Sequence, residues 1–258
     1  MHVIRFILFM LAMSAPVMAM AQYEVLPPMS LGSALDMSRM VVEQEVQKDI
    51  LRKGRGGGRP AAAPPAGGGT GFFTAALAPG RAAAVPAVDT RFRRQPAVEQ
   101  QAHANILGAL EKRQPQAVPE FRRLFATTNL PAWFEDVLRP YGLRADDAAD
   151  ALTAYWVMAW AVAHRIADDS GLPSPQAVAG VRSQVAQGFA LTPVGRYDPT
   201  RRQLLADEAI FNFLVLNGAW RSARNNPAQF DRLAAATQRN FLALGADLGR
   251  LAIGPGGF

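Results

Sequence analysis

The sequence has no cysteine and few histidines, and both shortages exclude whole classes of chemistry. Without Cys, the 258-residue chain has no thiol nucleophile, no disulfide bond and no cysteine-based zinc or iron–sulfur site. Only two of the three His residues, His103 and His164, lie beyond the first 21 residues, so a His-rich metal centre is excluded as well. We therefore predict neither a metal nor another cofactor, although carboxylates alone remain able to hold a hard cation.

Recognisable catalytic motifs are also lacking. The chain contains no Gly-x-Ser-x-Gly, no glycine-rich phosphate loop ending in Lys-Ser/Thr and no His-Glu-x-x-His. Adjacent carboxylates do occur, but neighbouring residues on a helix point about 100° apart and do not by themselves form a catalytic pair. Most of these pairs fall near predicted helix ends, where capping explains them.

The first 21 residues have the features of a secretory signal peptide. Arg5 is followed by a short apolar core over residues 6–13, and Ala19-Met20-Ala21 matches the small-x-small pattern of a cleavage site. This core is shorter than the roughly 20 apolar residues that a transmembrane helix needs. We therefore expect cleavage after Ala21, no transmembrane helix in the mature chain, and a location in the periplasm or outside the cell.

Residues 22–52 form a separate N-terminal segment with one predicted amphipathic helix. Ser33 can cap this helix, and apolar residues such as Leu35, Met40 and Val46 recur at intervals that suit one helix face. A single helix cannot bury such a stripe alone. We expect it to dock on the main domain, on a partner or on a second copy of the chain.

Residues 53–94 are rich in Gly, Pro and Ala and carry much of the positive charge of the chain. Such a tract buries too little apolar surface to offset its conformational entropy, so we predict a disordered basic linker. Two functions are open for its arginines. They either keep a solvated tether extended by charge repulsion, or they contact a polyanion such as the phosphates of an anionic envelope surface. The candidate contacts are Arg52, Lys53, Arg55, Arg59, Arg91, Arg93 and Arg94. Nucleic-acid binding is not predicted, because no folded basic face accompanies these residues.

Residues 95–254 show regular helix punctuation. Ser174-Pro175, Asp198-Pro199 and Asn226-Pro227 each place a capping side chain before a proline, a combination typical of helix starts, and Asp146 or Asp147 is a further cap. We predict an all-α domain, a helical bundle of about five main helices, followed by a tail at residues 255–258. The predicted helical segments are 96–113, 118–127, 131–139, 147–168, 175–191, 199–224 and 227–248.

Two of these segments contain apolar stretches without charge. Residues 151–164 would span only about 21 Å as a helix, less than the roughly 30 Å of a bilayer core. A second apolar stretch covers residues 210–220. Helices that are apolar on all sides belong in the centre of a bundle, so we expect these two to pair there and to bury Trp156, Trp160 and Trp220.

Five residues on these two helices are candidates for contact with a ligand or a partner: Asp150, Tyr155, His164, Asn212 and Asn217. Asp150 and His164 share a helix face but lie about 21 Å apart, too far for an acid–base pair. His164 is equally explained by its place near the helix C terminus, where a cation is favoured. Asn212 and Asn217 lie in an apolar helix, where a buried amide needs a partner in the core or in a ligand pocket.

The turn Pro140-Tyr141-Gly142-Leu143 precedes an Asp/Ala-rich helix start and a helix that carries Trp156 and Trp160. In these features the chain resembles an uncharacterised family of secreted proteobacterial helical proteins, over about residues 95–250. The resemblance implies a signal peptide, a Pro/Gly/Ala-rich spacer and a C-terminal helical domain. It implies no activity, cofactor or catalytic residue.

These observations favour a secreted or periplasmic helical domain without enzymatic activity, which binds an envelope protein or a second copy of itself. Two other functions stay open. A hydrolase of the cell envelope would use carboxylates such as Asp147, Asp150 or Glu208 across a cleft. A membrane-surface protein would act through the basic N-terminal region at residues 33–59.

Overall fold

The computed structural model describes residues 70–77 and 88–258 of the chain. These residues form seven α-helices of nine residues or more, preceded by a short helix, and they contain no β-strand. This confirms the predicted all-α bundle. The helices are α1 Thr70–Ala76, α2 Pro96–Arg113, α3 Val118–Thr127, α4 Leu130–Leu138, α5 Ala148–Ala163, α6 Pro175–Leu191, α7 Pro199–Ala223 and α8 Pro227–Ala243. The predicted signal peptide, the predicted amphipathic helix and residues 53–69 and 78–87 of the predicted linker lie outside the described residues.

The predicted capping residues are the caps of four helices. Ser174, Asp198 and Asn226 each accept a hydrogen bond from a backbone N–H in the first turn of α6, α7 and α8, and each is followed by a proline. Asp147 caps α5 by accepting from the backbone N–H groups of Ala149 and Asp150. These side chains satisfy donors that would otherwise remain unpaired at the helix start, which explains why the predicted starts are accurate.

Helices α5 and α7 form the centre of the bundle, as predicted, and share its most extensive helix–helix contact. Trp156 on α5 and Trp220 on α7 are both buried. The expected burial of Trp160 is wrong in part, because this side chain is only half-buried. Its indole N–H donates to the carbonyl oxygen of Leu251 at 2.8 Å, which holds the C-terminal segment against α5.

Helices α5 and α8 end five residues before their predicted ends, at Ala163 and Ala243. In each, the two backbone N–H groups after the last turn bond back to carbonyl groups of that turn, which is the Schellman arrangement. The residue that reverses the chain has a positive φ: Gly245 after α8, with φ 87°, and Arg165 after α5, with φ 58°. A positive φ is uncommon for a residue other than glycine, so the local sequence does not predict this conformation at Arg165.

Two parts of the predicted linker, residues 53–94, pack on the bundle. Helix α1 lies within the predicted linker and buries Phe73. Residues 88–94 run beside the start of α5, where the backbone N–H of Phe92 donates to Asp146 and Thr90 accepts from Ala148. The buried aromatic side chains of Phe73 and Phe92 offset the chain entropy that the Gly/Pro/Ala composition alone would not overcome.

The last residues of the chain also pack on the bundle. The side-chain amide of Gln184 on α6 accepts from the backbone N–H of Phe258 and donates to its carbonyl oxygen. Gly180 faces this segment so closely that a Cβ there would lie 2.4 Å from the backbone nitrogen of Gly257. The predicted tail at residues 255–258 is thus fixed against α6. No helix among residues 70–77 and 88–258 is long and apolar enough for a bilayer crossing.

Candidate ligand-binding site

A cavity of about 310 Å³ opens between α4, α5, the start of α6 and α7. Its volume lies at the lower end of the range of small-molecule sites, and most of its wall is apolar, as such sites usually are. Its lining comprises Trp133, Asp136, Val137, Leu138, Pro140, Tyr141, Leu143, Ala154, Val157, Met158, Asp169, Leu172, Val178, Phe213, Asn217, Trp220 and Arg221.

The turn between α4 and α5 forms one side of the cavity. Residues Arg139–Tyr141 make a single 3₁₀ turn, which Gly142 closes by donating its backbone N–H to Arg139. The φ of Gly142 is 67°, a conformation that a residue with a Cβ rarely adopts. This reversal leaves Tyr141 on the cavity wall and directs Leu143 into the core, where it is buried.

Asn217 on α7 is the buried polar group of the cavity. The residue is only 6% exposed, and its side chain makes no hydrogen bond with any described residue. A buried amide without a partner costs about 1–3 kcal/mol, so native proteins seldom retain one without a reason. Both its carbonyl and its amino group are available to a molecule in the cavity.

The open side of the cavity carries the charged groups. Asp169 and Arg221 are exposed lining residues that form no ion pair with a described residue, whereas Asp136 pairs with Arg139. Burial, followed by the nearby negative charge of Asp169, raises the pKa of the Tyr141 hydroxyl. The hydroxyl therefore stays protonated near neutral pH and can donate a hydrogen bond at the mouth.

Asp150, a predicted site residue, belongs to a buried ion cluster rather than to the cavity. One guanidinium, that of Arg182 on α6, donates to Asp147 and to Asp150, each at 2.8 Å. Thr90 donates to Asp147 at 2.7 Å, and the backbone N–H of Arg144 donates to Asp150 at 3.0 Å. Burial raises the pKa of Asp150, and the bond from Arg182 opposes that rise. All four carboxylate oxygen atoms of Asp147 and Asp150 thus accept hydrogen bonds from the protein. Through these bonds the two residues hold residues 88–94 and α6 against the start of α5.

The other four predicted residues are dispersed. Tyr155 is buried against Phe241, with the ring centroids 5.5 Å apart. His164 is the exposed C-cap of α5, and one of its ring nitrogens lies 2.9 Å from the carbonyl oxygen of Leu248. Asn212 is fully buried, and its side-chain oxygen has no hydrogen-bond partner among the described residues. Of the five candidates, only Asn217 lines the cavity.

The predicted polyanion contacts fall into two groups. Arg94 is not available to a polyanion, because its guanidinium is bound within the bundle to Asp207 at 2.6 Å and to Glu99 at 3.2 Å. Arg91 and Arg93 are exposed. Four further predicted contacts lie outside the described residues: Arg52, Lys53, Arg55 and Arg59.

Sequence reasoning missed most of the cavity, because its wall is assembled from residues far apart in the chain. The residues around Trp133, Tyr141 and Met158 in the sequence form no recognisable binding motif. These three side chains meet at the cavity only in the folded chain. The described residues contain no group of three or more acidic or histidine side chains that could hold a metal ion.

Comparison of the chain with models of known protein families, with characterised proteins and with solved structures finds no match. The cavity and its lining therefore carry the functional argument.

Proposed function

We propose that this chain is a non-enzymatic binding protein, and that its helical domain takes up a small, largely apolar molecule in the cavity between α4, α5 and α7. The observation that carries this proposal is the unpaired Asn217 amide in a largely apolar wall. An apolar wall supplies affinity through burial, and a single amide orients a ligand that bears a hydroxyl, carbonyl or amide group. Tyr141, Asp169 and Arg221 at the mouth would contact a polar end that remains near solvent.

We also propose that the protein acts in the periplasm or outside the cell and is related to the secreted helical proteins that it resembles. The charged start, apolar core and small-residue site within residues 1–21 support this location. Fractionation of cells that express the full chain would show a shortened protein in the periplasm or the medium. A full-length protein in the cytoplasm would refute the proposal.

Ligand binding is tested with N-phenyl-1-naphthylamine, a neutral apolar dye that becomes fluorescent in apolar sites. Ala154 on α5 lines the cavity and is buried, so Ala154→Leu fills the space with three further carbon atoms. Ala179 on α6 is exposed and outside the cavity, which makes Ala179→Leu the matched control. We expect the dye to bind the wild-type protein and the control with equal affinity, and Ala154→Leu at least about tenfold more weakly, since the filled space no longer admits the ring system. Equal binding by all three proteins would place the dye elsewhere and contradict the proposal.

A further inference from the structure

Helix α1 occupies an aromatic groove formed by Trp156 on α5, Phe189 on α6 and Phe241 on α8. Phe73 stacks on Trp156 with 4.0 Å between the ring centroids and meets Phe241 edge-on at 5.4 Å. Phe72 meets Phe189 edge-on, also at 5.4 Å. None of the groove side chains lines the ligand cavity, so the groove is a separate site.

Apolar contacts hold α1 in this groove. Phe73 and Ala76 are buried, and Phe72 meets both Trp156 and Phe189 edge-on. The helix has only seven residues, too few to be stable alone in water, so the groove determines its structure. The groove therefore recognises a short segment with two adjacent aromatic side chains and a small residue three positions later.

Gly188 on α6 is the point of closest approach. A Cβ at this position would lie 3.0 Å from the Cβ of Ala76 and 3.1 Å from the ring of Phe72, and its three nearest atoms all belong to α1. The absence of a side chain at residue 188 thus serves the docking of α1.

Residues 78–87 join α1 to the rest of the described chain. Ten residues, Ala-Pro-Gly-Arg-Ala-Ala-Ala-Val-Pro-Ala, separate Leu77 from Val88. A connection of this length spans at most about 40 Å, more than the diameter of a small domain. Exchange of an identical element between copies needs only such a connection and no new contacts, because the groove and its occupant already fit.

We propose that α1 is an exchangeable element: the aromatic groove of one copy accepts the α1 helix of a second copy. At low protein concentration the tether keeps α1 in its own groove, because the effective local concentration is in the millimolar range. Crowding of copies, for example at a surface, favours exchange and links neighbouring molecules through Phe72 and Phe73.

The natural lack of cysteine makes exchange directly measurable. A Cβ at residue 188 would lie 3.0 Å from the Cβ of Ala76, which is shorter than the roughly 3.5–4.5 Å of a disulfide, so cysteines placed there can bond after a shift of α1 by about half an ångström. Two single variants of the mature chain, Ala76→Cys and Gly188→Cys, are mixed, incubated overnight across micromolar to millimolar concentrations, and oxidised. A disulfide between these two chains in excess of random oxidation requires that α1 of one occupies the groove of the other.

We expect a covalent heterodimer on a non-reducing gel, increasing with concentration. The control mixes Ala76→Cys with Gly108→Cys, since Gly108 lies on α2 with open space around it, and should give only background dimer. The double variant Ala76→Cys/Gly188→Cys, kept dilute, should form an intrachain disulfide. If that intrachain bond forms but the mixture yields no more dimer than the control, α1 is a fixed part of its own bundle and the proposal is overturned. Because a side chain at residue 188 crowds α1, the cysteine-free substitution Phe73→Ala is measured beside it: if α1 occupies the groove, this change should lower the melting temperature of the mature chain, and an unchanged melting temperature together with a missing intrachain bond would overturn the proposal.

Discussion

Replacement of Asn217 by leucine should stabilise the fold while it weakens ligand binding. The amide is buried, faces the cavity and has no hydrogen-bond partner among the described residues. Leucine has a similar shape and no polar atoms. The substitution therefore replaces an amide that only the cavity can hydrate by apolar contact with the cavity wall, a gain of about 1 kcal/mol.

For a domain of this size, 1 kcal/mol corresponds to about 2–4 °C, so the melting temperature of Asn217→Leu should rise by about 2–4 °C. Gln203 on the same helix provides the matched control. Its amide is fully buried and is bonded to the backbone N–H and carbonyl of Gln95 and to Asp207, so Gln203→Met should lower stability by about 1–3 kcal/mol. Thermal unfolding followed by circular dichroism measures both. A destabilised Asn217→Leu would mean that the amide serves the fold, and the binding argument built on it would fail.

Substitutions at three further positions test the packing and the electrostatics. Trp156→Ala should cost about 3–5 kcal/mol in urea unfolding, since it empties the centre of the bundle; an unchanged midpoint would contradict the placement of α5. Burial lowers the pKa of His103 below 6.5, so the unfolded chain takes up its proton first and the free energy of unfolding should decrease as the pH falls through 6.5. In His103→Gln this decrease should be smaller, and an identical pH profile would refute the assignment. Arg182→Met should cost about 2–3 kcal/mol, because it leaves Asp147 and Asp150 buried without their half-exposed cation. Arg182→Lys should recover part of that loss, and a neutral Arg182→Met would show that the ion cluster does not fasten α6.

The sequence predicts those parts of the fold that are determined locally. A capping side chain followed by proline fixes a helix start within a few residues, and Ser174, Asp198 and Asn226 all do so. The reversal at Arg165 could not be predicted in this way, since a non-glycine residue takes up the left-handed conformation only through the surrounding contacts. Helix α1 was missed for a similar reason. Its sequence is poor in helix-specific features, and the aromatic contacts that order it come from residues more than eighty positions away.

The candidate site was predictable only where one residue contrasts with its neighbours. Asn217 stands out as an amide in an apolar helix, and it lies in the cavity wall. Asp150 stands out for the same reason, but Arg182, 32 positions along the chain, binds its carboxylate. Residue type indicates that a buried polar group needs a partner. It does not indicate whether the partner is a ligand or another part of the fold, because that depends on how the helices pack.

The indole N–H signals of the four tryptophans in a ¹⁵N-labelled protein test the central claim most directly. Trp133 and Trp220 line the cavity, whereas Trp156 lies under α1 and Trp160 bonds to the C-terminal segment. Titration with N-phenyl-1-naphthylamine should shift the signals of Trp133 and Trp220 in step and leave the other two in place. Shifts confined to Trp156 and Trp160, or no shift at saturating dye, would contradict a ligand site in this cavity.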